Sequence, residues 1–408
     1  MSAFSIALSG LTAASSDLDV TANNVANANT VGFKESRAQF ADVYAAGAVN
    51  LNTSVTGEGV RLDSTAQQFT QGNISTTSSN LDLAISGDGF FTMKDAGGTA
   101  YSRNGQFSEN KSGDVVNATG QALQVYPPTA NGGFNTGALA NLNLQTAQSA
   151  PLATTTGAVI LNLPANSTPP TVTPFNPTNT ATYNQSTSTT VYDSLGTAHS
   201  STLYFTQSAT ANTWNVNMTI DGNAVTATPA TLSFNSAGAL TAPAGGAVNF
   251  SGYTPPDGAA PMALNFNFAS STQYGGGFGV TSITQNGYAT GQLSTVSIDG
   301  SGIVSAVYTN GRSTQLGQLA MANFPNPQGL KQLGDTNWAE TFTSGTVVAG
   351  TAGAAGFGTI QSGALESSNV DLTTQLVNMI TAQRAFQANA QVVTTSNQLS
   401  QTVINMAH

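Results

Sequence analysis

Apolar residues at both ends of the chain recur at alternating spacings of four and three, the heptad pattern of helices that pack side by side. The pattern predicts one long helix in residues 2–26 and another in residues 364–406. We interpret its apolar positions as an assembly seam, made of Phe4, Leu8, Leu11, Leu18 and Val25 at the N-terminal end and Leu372, Leu376, Met379, Phe386, Val393 and Ile404 at the C-terminal end.

Polar residues mark the ends of both predicted helices. The run from Asn23 to Gly32 ends the first helix, because asparagine and glycine accept the backbone conformations that close a helix. Ser367 and Ser368 are the expected N-caps of the second helix, and Asp371 favours its first turn. Ser and Thr weaken the first helix in particular. We therefore expect both helices to be frayed or unfolded in the monomer and to order when subunits meet.

The interior has a different pattern, in which short alternating apolar and polar runs are separated by tight-turn dipeptides. Runs at 203–205, 214–220 and 263–268 indicate antiparallel strands arranged as sandwiches or distorted barrels. The turn dipeptides, typical of β-hairpins, are Asp88-Gly89, Asn104-Gly105, Asp221-Gly222, Asn286-Gly287, Asp299-Gly300 and Asn310-Gly311.

Length and composition indicate several domains, since one hydrophobic core seldom grows beyond about 250–300 residues and this chain has 408. A Pro- and Thr-rich stretch at 163–182 and a soft boundary at 286–291 punctuate the interior. The charge-poor segment 147–284 is therefore predicted to be a domain inserted between the halves of another. The predicted fold is multi-domain α+β, with a coiled-coil-like layer of terminal helices and antiparallel β-rich middle and outer domains.

Charge is scarce along the whole chain. Only 7% of residues are charged, against roughly 25% in an average globular protein, and no Lys or Arg occurs between Lys111 and Arg312. The net charge of −10 argues against a nucleic-acid partner, because basic residues must replace the counterions of the phosphates. A nearly uncharged surface packs against copies of itself with little repulsion. The absence of cysteine excludes disulfides and thiolate metal sites.

Hydropathy argues against membrane insertion, since no run of about 18 apolar residues occurs. The N-terminal sequence MSAFSIALSGLTAASSDLD has neither a basic segment nor a continuous apolar segment of the kind found in secretory signals. If the protein leaves the cell, we expect export by a route that leaves the N-terminus intact.

Candidate catalytic groups are few. The chain has two histidines, His199 and His408, and His199 lies near Asp193 in a turn-like stretch where we expect a surface-loop position. Asp82 and Asp88 are close enough in sequence to suggest paired carboxylates, but Gly87-Asp88-Gly89 is better explained as a turn. No metal, phosphate-binding or nucleophile motif is present. We therefore predict that the protein is not an enzyme and has no catalytic, cofactor-binding or metal-binding residues and no cofactor.

Four stretches of the chain resemble the bacterial flagellar rod and hook protein family. They cover both termini and much of the predicted inner domain, whereas 147–284 carries no matching motif. The four stretches are TANNVANANTVGFKESRAQFADVY at 21–44, NLDLAISGDGFF at 80–91, GYATGQLSTVSIDGSGIVSAVYTNGRSTQLGQLAMANFPNPQGL at 287–330 and SNVDLTTQLVNMITAQRAFQANAQVVTTSNQLSQTVIN at 368–405.

The resemblance is greatest to the hook branch of this family, because rod proteins are shorter and lack such a large inserted domain. It implies a structural subunit that self-assembles into a curved tube, a universal joint that transmits torque from rod to filament. It also implies four regions: a terminal helical domain (1–26 with 364–408), a linking segment (27–71 with 358–363), an inner β domain (72–146 with 285–357) and an outer β domain (147–284).

The resemblance also implies partners and a location. The partners are further copies of the chain in a homopolymer, rod proteins, hook-cap proteins, hook–filament junction proteins and the flagellar type III export apparatus. The location is the extracellular flagellar hook.

Two alternatives to the hook reading stay open. One is a distal rod protein of the same family. The other is a secreted β-rich adhesin or carbohydrate-binding protein whose aromatic residues stack on sugars, although residues at strand spacing are more often in the core. The aromatic residues in question are Tyr192, Tyr204, Trp214 and Tyr274.

Overall fold

The computed structural model describes residues 3–43, 57–145, 148–228 and 230–406. Helices lie at the two ends of this chain and strands fill the interior, so the predicted fold class is confirmed. The elements are α1 (Ala3–Ala26), β1 (Ser36–Asp42), β2 (Val60–Gln67), β3 (Ile74–Thr76), β4 (Leu83–Ser86), β5 (Phe90–Asp95), β6 (Gly98–Ser102), β7 (Ser108–Glu109), β8 (Val115–Val116), β9 (Ala122–Tyr126), β10 (Ala140–Asn141), β11 (Thr156–Pro164), β12 (Gln185–Tyr192), β13 (Ala198–Gln207), β14 (Thr213–Ile220), β15 (Asn223–Thr228), β16 (Thr231–Phe234), β17 (Leu240–Ala242), β18 (Ala247–Tyr253), β19 (Met262–Asn267), β20 (Thr272–Tyr274), β21 (Gly279–Gln285), β22 (Leu293–Ile298), β23 (Ile303–Tyr308), β24 (Ser313–Asn323), β25 (Lys331–Gly334), β26 (Asn337–Ala339), β27 (Val348–Thr351), β28 (Thr359–Ser362), β29 (Ala364–Glu366) and α2 (Leu372–Met406).

The second helix begins later than the sequence pattern predicts. Residues 364–366 form β29, which pairs with β3, so the predicted helix start at 364 is wrong. The predicted caps Ser367 and Ser368 are also wrong, because the backbone N–H of Thr374 donates to the Asp371 carboxylate at 3.0 Å. Asp371 is thus the N-cap, and its negative charge also suits the positive end of the helix dipole.

The larger of two compact units comprises residues 1–146, 295–306 and 313–408. Its main sheet runs in the order β22-β23-β24-β9-β5-β6-β26-β25, with β7, β8, β10 and β27 paired at its sides. Large apolar side chains alternate into its core, where Phe91, Met93 and Leu123 are fully buried. A second, aromatic cluster is built from Phe90, Tyr101, Phe324 and Trp338. The helices α1 and α2 belong to this unit.

The second unit comprises residues 147–294 and 307–312. Its sheet runs in the order β12-β13-β14-β15-β18-β19-β11-β20, with β16, β17 and β21 attached. The pairs are antiparallel except those that β11 forms with β19 and β20, which are parallel. Parallel pairing is possible here because long connections separate β11 from these partners. Trp214, Phe205 and Phe266 lie at the centre of its core.

Some of the predicted turn dipeptides form β-hairpins, and others join two strands that do not pair with each other. Asp221-Gly222 joins β14 to β15, with Ile220 opposite Asn223, and both turn residues have positive φ. This is the two-residue turn that Asp-Gly favours. Asp88-Gly89, in contrast, joins β4 to β5, and these strands pair with β28 and with β6, β9 and β24 instead. The dipeptide signals a turn but carries no information about strand partners.

Candidate functional site

The terminal helices α1 and α2 pack against each other in antiparallel orientation. Asn24 on α1 hydrogen-bonds to Gln375 near the start of α2, at 3.2 Å. Gly10, two heptads earlier, lies opposite Asn389, because a Cβ atom added at Gly10 would fall 2.7 Å from the Asn389 side-chain oxygen. Small and polar residues therefore line the contact between the helices. The buried residues of the pair are Ala7, Ala14, Thr21 and Asn24 on α1 and Gln375 and Ala382 on α2.

The predicted seam residues divide into two groups in this arrangement. The heptad register of Gln375 and Ala382 places Met379, Phe386 and Val393, which are half-buried, on the α1-facing side of α2. Leu11, Leu18 and Val25 are also half-buried. The remaining seam residues are exposed within a single chain: Phe4, Leu8, Leu372, Leu376 and Ile404.

The C-terminal part of α2 extends beyond α1. The pairs Asn24–Gln375 and Gly10–Asn389 have the same register, which places the first residue of α1, Ala3, opposite Ser396. Residues 397–406 have no described α1 residue opposite them, and at 1.5 Å per residue they extend for about 15 Å. We call residues 397–406 the overhang. Its apolar side chains are largely in solvent, with 62% of Leu399 and 61% of Val403 exposed.

A network of amide side chains holds the C-terminal end of α1 and the N-terminal end of α2. Asn24 donates to the Ser36 carbonyl at 2.7 Å and accepts from the Ser36 backbone N–H at 2.9 Å, as a strand residue would. Gln375 donates to the Glu35 carboxylate at 2.8 Å, and Asn369 accepts from the Glu35 backbone N–H at 2.7 Å. In the sequence, Asn24 is recognisable only as part of a helix stop and Gln375 has no signal of its own, because hydrogen-bond partners this distant leave no local pattern.

A buried ionic cluster lies next to these amides. Lys34 Nζ lies 2.6 Å from Glu366 Oε1, Arg103 Nη1 lies 3.2 Å from Glu366 Oε2, and none of the three side chains is more than 4% exposed. Further bonds run from Lys34 to the Thr70 carbonyl and from Arg103 to the Gly87 carbonyl, both at 2.8 Å. Burial lowers the pKa of Lys34 and of Arg103, and the Glu366 carboxylate opposes both shifts.

The described residues of the second unit include one group of side chains with the composition of a metal site. Ligand atoms of Asp193, His199 and Asp257 lie within 4.8 Å of one another. The imidazole nitrogens are already engaged, however, with Nδ1 at 2.6 Å from Asp221 and Nε2 at 3.2 Å from Asp193. The group is therefore an ion-pair network and not an assigned metal centre. The expected surface-loop position of His199 is wrong, since the side chain is buried in β13.

The aromatic residues considered for sugar stacking lie in different environments. Trp214 is fully buried in the core and unavailable to a ligand. Tyr204 packs against Phe175 and Tyr183, with ring centroids 5.2 and 4.9 Å away. Tyr274 is 54% exposed, and Tyr192 is half-buried. Burial therefore excludes Trp214 from any stacking surface for sugars. Separately, neither described helix is long and apolar enough to cross a membrane.

Four segments of the chain match known protein families. Residues 4–34 match the family described as "Flagella basal body rod protein", and residues 84–174 match "Flagellar hook protein FlgE/F/G D1 domain". Residues 162–288 match "Flagellar basal body protein FlaE D2 domain", and residues 361–406 match "Flagellar basal body rod FlgEFG protein C-terminal". The matches thus include both helices and both β-rich units.

Full-length relatives agree with these matches. The chain is 40% identical to the flagellar hook protein FlgE of Escherichia coli (strain K12) over 413 residues, which is 99% of this chain and all of the relative. It is 33% identical to the flagellar hook protein FlgE of Rhizobium meliloti (strain 1021), over 98% of this chain and 97% of the relative. The crystal structure of Helicobacter pylori flagellar hook protein FlgE2 is similar in fold, with a TM-score of 0.50, 13% identity, and coverage of 72% of this chain and all of that chain. The chain therefore belongs to the flagellar hook protein family.

Proposed function

We propose that this protein is the structural subunit of a flagellar hook and that it polymerises through its terminal helices. One observation carries the proposal: the buried residues of α1 and α2 are small or polar, while several large apolar residues on the same helices are exposed. Exposed apolar surface of this kind is costly in water unless a partner covers it. Further copies of the chain supply that partner, and the seam residues Phe4, Leu8, Leu372, Leu376 and Ile404 lie between subunits.

The β-rich regions have a separate role in this proposal. We place residues 72–146 with 285–357 in the inner β domain, residues 147–284 in the outer β domain, and residues 27–71 with 358–363 in a linking segment. These domains slide past their neighbours as the tube turns about its bent axis, so that the hook transmits torque while it bends. A surface rich in Ser, Thr, Asn and Gly suits sliding, because few ion pairs must break during each turn.

Family membership supports a proposal about partners and export route. We propose that the chain passes unfolded through the flagellar type III export apparatus and assembles outside the cell without cleavage. It then contacts rod, hook-cap and hook–filament junction proteins. We assign it no catalytic activity and no cofactor. The alternative of a distal rod protein has less support, since the full-length relatives named above are hook proteins. The adhesin alternative also has less support, because Trp214 is buried and cannot stack on a sugar.

Removal of the terminal segments tests the proposal. We expect a chain without residues 1–25 and 369–408 to remain a folded, soluble monomer and to form no tubes under conditions in which the full chain polymerises, as seen by electron microscopy. Tubes formed by the truncated chain, or a full chain that never polymerises, would contradict the proposal. Circular dichroism of the truncated chain separates a loss of assembly from a loss of β structure.

A further inference from the structure

Within residues 148–294 of the second unit, the acidic residues and the histidine lie at one place. Residues 148–294 contain three acidic residues, one histidine and no Lys or Arg. These four side chains lie in one cluster. Asp193 and Asp221 contact the ring nitrogens of His199, and Asp257 lies beside Asp193 and His199. All the acidic residues of this segment thus surround one imidazole ring. Packing of the apolar core alone does not require this arrangement.

The geometry around the ring requires two N–H groups. Asp221 Oδ2 lies 2.6 Å from Nδ1, and Asp193 Oδ2 lies 3.2 Å from Nε2. A neutral imidazole has one N–H, so its second nitrogen would direct a lone pair at a carboxylate oxygen. The doubly protonated ring donates to both carboxylates, and hydrogen bonds between charged groups are among the strongest in proteins.

The carboxylates that hold the ring are themselves held by other elements. The Asp193 carboxylate accepts from the Leu195 and Thr197 backbone N–H groups in the turn between β12 and β13. The Asp221 carboxylate, in the turn between β14 and β15, accepts from the Ser200 backbone N–H and from the Tyr253 hydroxyl at the end of β18. His199 therefore connects two turns and a third strand that are distant in sequence.

The loop after β18 joins the same group. Asp257 accepts from the Thr197 hydroxyl at 2.9 Å, and the Ala260 backbone N–H donates to the Ser194 hydroxyl at 2.9 Å. Among the described residues, the titratable groups around the ring are thus Asp193, Asp221, Asp257 and Tyr253, and none of them is basic.

We propose that His199 is a pH-sensitive clamp that joins the β12–β13 turn, the β14–β15 turn and the end of β18 while its ring is doubly protonated, and that loosens them when the ring loses a proton. Burial by itself lowers the pKa of His199, but the hydrogen bonds and charges of Asp221 and Asp193 outweigh burial and raise the pKa above its ordinary value of 6.5. The direction of the pH effect follows from this sign. Because the pKa is raised in the folded state, the stabilisation is complete below the unfolded-state pKa and is lost as pH rises through the folded-state pKa.

Nuclear magnetic resonance tests the protonation state directly in the full chain. The sequence contains only two histidines, so selective 15N-histidine labelling gives two side chains to assign, and a His408→Gln variant identifies His199. We expect both ring nitrogens of His199 to be protonated at pH 6, with a titration midpoint above the ordinary histidine value of 6.5. Asp221→Asn should lower the midpoint of His199. A neutral His199 ring at pH 6 would overturn the clamp.

Hydrogen exchange tests the structural consequence in the same molecule. After correction for the intrinsic exchange rate, we expect protection of residues 185–223 to fall about fivefold or more between pH 6 and pH 9, while protection of residues 83–126 stays constant. His199→Gln should have the lower protection at both pH values, and His408→Gln should behave as the wild type. Protection that does not change with pH would overturn the proposal. A change that follows addition of EDTA or Zn²⁺ instead of pH would also overturn it, because the cluster would then hold a metal and not a proton.

Discussion

Lys34 and Glu366 are 332 positions apart in sequence, yet their charged groups meet at 2.6 Å in a site closed to solvent. Lys34 follows α1 and Glu366 precedes α2, so the contact links the segment after the C-terminal end of α1 to the segment before the N-terminal end of α2. Arg103, between β6 and β7, completes the cluster through the second oxygen of Glu366. The helix pair is thus attached to the strands of the same unit by a cluster of charges that is buried from solvent.

Removal of the shared carboxylate should destabilise this unit strongly. We expect Glu366→Gln to lower the free energy of unfolding by about 3–5 kcal/mol, because Lys34 and Arg103 stay buried without the carboxylate that they share. Urea denaturation of the full chain measures the change. The matched control is Asp63→Asn, which breaks the solvent-exposed Arg61–Asp63 pair and should cost less than about 1 kcal/mol. Equal costs for the two variants would show that the buried cluster contributes no more than a surface pair.

The Asn24–Gln375 bond should couple the two helices energetically. Asn24→Ala leaves the Ser36 backbone groups and the Gln375 side-chain oxygen without their partner, and we expect a loss of about 1–3 kcal/mol. Gln375→Ala should cost less, since Asn24 keeps both bonds to Ser36. A double-mutant cycle measured by urea denaturation should give a coupling energy of about 0.5 kcal/mol or more. Strict additivity would indicate that the 3.2 Å contact carries no stabilisation.

Because the helices approach closely at Gly10, we predict that Gly10→Ala has opposite effects on stability in the wild-type chain and in an Asn389→Ala variant. Gly10→Ala in the wild-type chain should destabilise the protein, because the new Cβ meets the Asn389 side chain at 2.7 Å. In an Asn389→Ala background the same substitution should stabilise the protein by about 0.5–1 kcal/mol, since alanine is the better helix former. Thermal unfolding of the four chains measures both effects. A stabilisation of equal size in both backgrounds would mean that Asn389 moves aside freely.

The overhang should affect assembly without affecting the fold. We expect the double variant Leu399→Asp, Val403→Asp to unfold within about 0.5 kcal/mol of the wild type, because both side chains are already in solvent. Polymerisation measured by light scattering and electron microscopy should be abolished, since two charges would have to be buried between subunits.

A control variant carries the same charge on another face of the overhang. Gln401→Asp, Asn405→Asp keeps the spacing of four residues, and at 100° per residue its side chains point roughly opposite to those of Leu399 and Val403. We expect this control to polymerise. Equal loss of polymerisation in both variants would attribute the effect to net charge and not to the apolar face.

The limits of sequence reasoning are clearest in the terminal helices. Heptad spacing predicted two helices and identified Met379, Phe386 and Val393, which the register places toward α1. It did not predict that the closest contact pairs Gly10 with Asn389, since a periodic pattern identifies a face but not the residue opposite it. Heptad spacing also placed the start of α2 too early, at 364. The pairing of β29 with β3 joins segments almost 300 residues apart, so local sequence could not reveal it.

The helical termini, the β-rich interior, the Asp221-Gly222 hairpin and the family are predictable from local sequence, because periodicity, turn chemistry and motifs are properties of neighbouring residues. Three-dimensional packing was needed to show that Glu366 pairs with Lys34 and Arg103, that Asn24 joins Gln375 to Ser36, and that His199 is enclosed by carboxylates. Each of these contacts unites residues from distant segments, and its energy depends on burial and on distances of about 3 Å. Folding alone brings such groups together.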